Sequence, residues 1–157
     1  MDKTLLQLHL SERYRDIKKS ELKAVMIIQD ELLSSLRDYL RGIGFIEILA
    51  PIIGPATDPG IRGAKQVSFD YYGTQFKIMS SMILYKQMAI NSMERVFALS
   101  PNIRLEPDET MNTGRHLSEF RQLDLEVAEA SYDDVMKIGE EWSHPVLNEL
   151  KLIALKV

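Results

Sequence analysis

Arg104 and Glu106 stand two positions apart in Ser100-Pro101-Asn102-Ile103-Arg104-Leu105-Glu106, where extended backbone places both side chains on one face. Alone, such a pair is an ordinary surface neighbour contact worth little. After a polar stretch, however, the chain returns through Arg115-His116-Leu117-Ser118-Glu119-Phe120 into Arg121-Gln122-Leu123-Asp124-Leu125-Glu126. A hairpin over this span gathers three arginines, an aromatic ring and several carboxylates. Guanidinium groups hold phosphates and a flat apolar ring receives a base, so the set points to a nucleotide. Other residues carry bland readings of their own. Lys86 falls on a helix, where most lysines are solvated, and Asp58, between Thr57 and Pro59, suits an ordinary turn. Phe120 at a strand start is more often core than platform, and Asp124 suits an edge-strand charge.

The elements that must position these residues follow from periodicity. Leu22, Val25, Met26, Leu32, Leu33, Leu36, Tyr39 and Leu40 keep helical spacing from about Ser20 to Arg41, with Ser20 as N-cap. Ile27 and Ile28 widen the apolar stripe beyond one face, which suits a core helix and equally a subunit contact. Gly42 and Gly44 end the helix. A short strand, Phe45-Ile46-Glu47-Ile48-Leu49, runs to Pro51, and the Gly- and Pro-rich span from Ile53 to Ala64 reads as a mobile loop. Strands over Val67–Tyr71 and Thr74–Met79 form a hairpin near Gly73, and a helix from Ser81 to Met93 carries Leu84, Met88 and Ile90. Strands over Val96–Leu105 and Phe120–Ala128 flank the polar loop, a last helix starts near Asp133, and Pro145 should interrupt it. This order predicts one α+β domain across the chain, an antiparallel β-sheet flanked by helices.

Composition excludes several functions. With 157 residues, 45% of them hydrophobic, the chain can bury a core. It has no cysteine, which rules out disulfides, thiolate metal sites and thiol catalysis. Three scattered histidines lack ligand spacing, so no metal site is expected. A net charge of −4 gives no bulk drive toward nucleic acid. The start, Met1-Asp2-Lys3-Thr4, has no apolar leader and no stretch is long enough to span a bilayer, so the expectation is a cytoplasmic protein without membrane attachment.

Ordered matches now add up to a resemblance. Phe97-Ala98-Leu99-Ser100-Pro101-Asn102-Ile103-Arg104-Leu105-Glu106, with Arg115-His116-Leu117-Ser118-Glu119-Phe120, resembles motif 2 of class II aminoacyl-tRNA synthetases, over about 97–126. Gly44-Phe45-Ile46-Glu47-Ile48-Leu49-Ala50-Pro51 resembles motif 1, over about 44–51. Leu84-Tyr85-Lys86-Gln87 resembles a segment of the aspartyl and asparaginyl branch, and Arg13-Tyr14-Arg15-Asp16 is similar to its lead-in. Within that branch, Ser81-Met82-Ile83-Leu84-Tyr85-Lys86-Gln87 and the motif 2 strand are especially similar to archaeal asparaginyl-tRNA-synthetase-related proteins, some of which make asparagine from aspartate, ATP and ammonia.

The resemblance implies roles residue by residue. Arg104 would hold the α-phosphate of ATP and act in catalysis, with Glu106 at the adenine amino group, or at the end of tRNA in a true synthetase. Phe120 would stack on adenine, and Arg115 and His116 would reach the outer phosphates. Lys86 would pair with the side-chain carboxylate of the amino acid, and Asp124 would take its α-ammonium. Gln122 and Ser81 would orient the substrate, and Asp58 would close over it as a lid. It further implies a homodimer through motif 1 and Mg²⁺ accompanying ATP. The third motif and the usual Mg²⁺ carboxylates are not found, so the chain is expected to be the N-terminal half of a catalytic domain, with poor turnover alone. Ile83 stands where aspartyl enzymes usually carry a glutamine, and the loop over 107–114 is longer than theirs. The expected function is ligase-type activation of aspartate or asparagine to an adenylate, with ammonia favoured over tRNA as acceptor. The rival is a non-catalytic paralogue serving as a binding or dimerisation module.

Overall fold

The structure is a computed structural model that describes residues 7, 10–58, 63–110, 113 and 115–154, the side chains of 149 and 152–154 excepted. Pro59 and Gly60 of the Gly/Pro-rich span, and Met111, Asn112 and Gly114 of the polar loop, lie outside the described residues. Contacts divide the chain into two units: residues up to Ile43 with those from Ser131 onward, and Gly44–Ala130.

The first unit is helical. A short helix α1 (Arg13–Asp16) precedes the long helix α2 (Ser20–Gly42), which packs against the final helix α4 (Tyr132–Ala154). Leu36 and Leu40 of α2 and Val146 of α4 are buried, the core face that the periodicity of α2 requires. Ser20 is not the N-cap: it is the first helical residue and its hydroxyl donates to the Glu21 carboxylate. Nor does Pro145 interrupt the last helix, which continues through it to Ala154. A proline inside a helix loses one backbone hydrogen bond and crowds the carbonyl four residues back. Burial of the adjoining Val146, 4% exposed, offsets that cost. The start of α4 is secured by a reciprocal cap: the Ser131 N–H and hydroxyl donate to Asp134 Oδ2 at 2.9 and 2.6 Å, and the Asp134 N–H donates back to Ser131 Oγ at 3.3 Å.

The second unit carries the strands. Gly44, at φ +89°, turns the chain into β1 (Ile46–Glu47), shorter than the five-residue strand expected there. Next come β2 (Ile53–Gly54), β3 (Ser68–Tyr71), β4 (Thr74–Ile78), helix α3 (Ile83–Ala89), β5 (Arg95–Ile103), a 3₁₀ turn (Asp108–Thr110) and β6 (Glu119–Val127). One sheet has the order β1-β5-β6 and the other β2-β4-β3. All pairings are antiparallel except β1 with β5, which run parallel. The α+β class with an antiparallel-dominated sheet therefore stands.

The β3–β4 hairpin turns at Tyr72 and Gly73, both at positive φ, and the Gly73 N–H donates to Asp70 Oδ1. That is the two-residue geometry matching strand twist. The span expected to be a mobile loop is ordered at its start, where Ile53 and Gly54 pair with Ile78 and Lys77 of β4. Helix α3 is shorter than expected. Leu84 and Met88 face outward, 38% and 59% exposed, whereas Met82 just before it is buried.

Candidate active site

β5 and β6 pair from Arg95 opposite Val127 to Ile103 opposite Glu119. This register sets Val96, Ala98, Ser100 and Asn102 against Glu126, Asp124, Gln122 and Phe120. Strand alternation then places those side chains on one face of the hairpin. Helix α3 packs on β5 and β6 and brings Lys86 to this face.

Charge is concentrated where α3 meets β6. The Lys86 ammonium lies 3.1 Å from Glu126 Oε2 and 3.8 Å from Asp124 Oδ1. The Lys86 side chain is 18% exposed and that of Asp124 only 5%, so water screens this attraction far less than a surface pair. The Ser100 hydroxyl adds a charge-assisted bond to Asp124 Oδ2 at 2.5 Å. Asn102, fully buried, donates from Nδ2 to the Ser100 carbonyl, to Ser100 Oγ and to Gln122 Oε1 at 3.2–3.3 Å. The site thus holds an ammonium and two carboxylates that compensate each other and can be separated by a ligand carrying both charges.

At the other end of the face, just past β5, Arg104 is fixed from three sides. Its backbone N–H donates to the Ser118 carbonyl at 2.9 Å and Nε donates to the Ser80 carbonyl at 3.1 Å. The guanidinium carbon lies 5.1 Å from the centroid of the Phe120 ring. Its two terminal amino groups donate to no described residue, which leaves the fork available for an anion. Arg104, Glu106, Arg115, His116, Leu117 and Phe120 line a cavity of about 330 Å³. β5 ends before Arg104, so Arg104 and Glu106 reach one cavity from irregular backbone rather than as strand neighbours. Arg115 and His116 are exposed, and His116 Nδ1 lies 3.2 Å from Thr113 Oγ1.

The segment before α3 supports this end. Thr57 Oγ1 accepts from the Ser80 N–H at 3.0 Å and donates to the Ser81 carbonyl at 3.3 Å, all three residues being buried. The Ser80 hydroxyl and Gln66 Nε2 both donate to the Asp58 carbonyl, so the backbone of the expected lid residue is tied down. Ser81 Oγ accepts from the Ile83 N–H at 3.2 Å, a role at the start of α3 rather than toward an open pocket.

The structure therefore brings together Arg104, Glu106, Arg115, His116 and Phe120 around one cavity, and Lys86, Gln122 and Asp124 on the adjoining part of the same face. Glu126, Asn102, Ser80 and Thr57 are participants the sequence reading did not single out as site residues. Alternation from Phe120 through Gln122 and Asp124 points to Glu126, whereas Thr57 and Ser80 stand on either side of the β3–β4 hairpin and leave no local signal. Among the described residues no three of His, Asp and Glu converge as a metal site. No helix among them is long and apolar enough to cross a membrane.

Comparison with known proteins gives the family. The family model for tRNA synthetases class II (D, K and N) matches residues 6–156. An aspartate–tRNA(Asp/Asn) ligase of Saccharolobus solfataricus is 36% identical over 143 residues, 90% of this chain and 32% of that protein. An aspartate–tRNA(Asp) ligase of Picrophilus torridus is 35% identical over 93% of this chain and 34% of its own length. The crystal structure of asparaginyl-tRNA synthetase from Pyrococcus horikoshii complexed with asparaginyl-adenylate superposes with a TM-score of 0.84 at 29% identity, covering 96% of this chain and 33% of that one. The chain thus spans about a third of the length of the relatives it matches. Because that family model matches residues 6–156, nearly the whole chain, the chain belongs to the class II tRNA synthetases (D, K and N).

Proposed function

We propose that this chain forms the ATP- and amino-acid-binding part of a site that activates aspartate or asparagine to an enzyme-bound adenylate. The observation that carries this is the sharing of one sheet face by two complementary ends. Arg104 is held over Phe120 with its fork open, and Lys86 lies between Asp124 and Glu126. In this reading adenine stacks on Phe120, with Glu106 at its amino group. Arg104 binds the α-phosphate, and Arg115 and His116 reach the outer phosphates. The amino-acid carboxylate attacks the α-phosphorus, the bond to the leaving pyrophosphate breaks, and Arg104 neutralises the charge that builds on the non-bridging oxygens. Lys86 exchanges its protein carboxylates for an oxygen of the substrate side chain, while Asp124 receives the α-ammonium. Gln122, between the two ends, orients the reacting group, with Ser81 and Asp58 as further contacts on the substrate side.

The names of the relatives, aspartate–tRNA ligases, support tRNA as the acceptor in the whole protein, and none of them supports the ammonia that the sequence reading favours. A homodimer through motif 1 is supported by the apolar side chains that this segment and the residue after Pro51 leave open: Ile46, Leu49 and Ile52 are 53%, 95% and 58% exposed. The test is amino-acid-dependent exchange between ATP and labelled pyrophosphate, run with aspartate and with asparagine on this chain and on a form extended by the rest of the catalytic domain. Exchange by the extended form, abolished by Arg104→Ala, supports the reading. A folded extended form without exchange supports a binding or dimerisation module instead.

A further inference from the structure

The hydrogen-bond polarity of the site is set by a residue with no surface of its own. Asn102 is fully buried, and its Nδ2 lies 3.3 Å from the Ser100 carbonyl, an oxygen that can only accept. That contact fixes which end of the Asn102 carboxamide carries the hydrogens. The same Nδ2 lies 3.2 Å from Ser100 Oγ, whose own hydrogen is committed to Asp124, and 3.3 Å from Gln122 Oε1. Gln122 is therefore held with its oxygen toward Asn102, and its Nε2 donates to no described residue. Gln122 is half-buried rather than buried, so this amide nitrogen is turned away from the fixed contact. The arrangement leaves Asn102 Oδ1 buried and without a partner among the described residues, a destabilising feature.

We infer that Asn102 is a positioning residue for amino-acid recognition: it locks the Gln122 carboxamide so that an N–H donor, not an acceptor, faces the ligand between Phe120 and Asp124. The ligand group this selects is an oxygen acceptor, the carboxylate or acyl oxygen of the amino acid at the reacting centre. The inference rests on the reading of the site given above.

The experiment measures affinity, by calorimetry on this chain, for ATP and for a non-hydrolysable aspartyl-adenylate analogue. Wild type is compared with Asn102→Asp, Asn102→Ala, Gln122→Ala and the double variant Asn102→Ala with Gln122→Ala. Asn102→Asp keeps the shape but offers an acceptor, so Gln122 turns its nitrogen inward and presents its oxygen. The expected result is a tenfold or larger loss of analogue affinity in Asn102→Asp, a smaller loss in Asn102→Ala, and ATP affinity within twofold of wild type in both. The double variant should bind the analogue no worse than Gln122→Ala, because the effect of Asn102 passes through Gln122. Equal losses for ATP and the analogue, additive losses in the double variant, or an unchanged analogue affinity overturn the inference. Should Asn102→Asp not fold, Asn102→Ala and the double variant decide alone. A folded wild-type chain that binds neither ligand overturns the reading of the site itself, a result distinct from failure of the Asn102 relay.

Discussion

Lys86 on α3 lies 3.1 Å from Glu126 and 3.8 Å from Asp124 on β6, an ammonium shared by two carboxylates at the edge of the buried sheet face. Removing the lysine leaves Asp124, 5% exposed, with an uncompensated charge. Lys86→Met should destabilise the chain by about 1–3 kcal/mol, below the full cost of breaking a buried pair because Glu126 and part of Lys86 reach solvent. Adding Asp124→Asn should restore much of that loss in a urea melt. An additive double variant would show that the two groups do not interact.

Arg104 joins the two elements that flank its cavity, the Ser80 segment and Phe120. Arg104→Lys keeps the charge but gives up the planar fork and the stacking. In a form extended by the rest of the catalytic domain, it should lower pyrophosphate exchange about 10²–10³-fold, the usual cost of one transition-state donor. Retention of more than a tenth of the activity would mean that charge alone suffices.

Thr57 ties the stretch before α3 to the loop ahead of it through the Ser80 N–H and the Ser81 carbonyl. Thr57→Val has the same shape and neither bond, and leaves a buried N–H unsatisfied. The expected loss is about 1–3 kcal/mol in chemical denaturation. Because Arg104 bonds the Ser80 carbonyl, weaker ATP binding should accompany it.

Asp134 gives the pH dependence. Its carboxyl is held below the ordinary range, first by the Ser131 hydroxyl and then by the Ser131 N–H. A depressed folded-state pKa contributes stability that is present above the unfolded value, about 3.9, and is lost as pH falls through the folded one. Asp134→Asn should therefore lower Tm at pH 7, and its gap to wild type should close below pH ~4. Ser131→Ala, which removes the partner hydroxyl, should cost about 1 kcal/mol at neutral pH. A gap that stays constant with pH would remove the carboxylate from the cap.

Much of this site was legible before any coordinates, for identifiable reasons. The β5–β6 hairpin announces itself by alternation, and alternation alone puts Phe120, Gln122 and Asp124 on one face. Helix α3 is less legible, because the spacing of its apolar residues does not say which face packs inward. Leu84 and Met88 point outward, while Lys86 turns in to meet carboxylates contributed by a distant strand. A site reverses the hydrophobic rule at the position where function needs charge, and local periodicity cannot register that. Pro145 misled in the opposite direction: helix-breaking chemistry is local, whereas the burial of Val146 that overrides it comes from the α2–α4 packing. Thr57 and Ser80 lie 23 positions apart and meet only through the fold.

The most direct measurement is ligand-induced stabilisation of this chain by a non-hydrolysable aspartyl-adenylate analogue, in wild type and in Arg104→Ala. A ligand at a hundred times its dissociation constant raises stability by about 2.7 kcal/mol, a shift readily read from a thermal or urea melt. The account predicts a saturable shift in wild type that Arg104→Ala abolishes without loss of folding. No shift in well-folded wild type, or the same shift in both proteins, would contradict it.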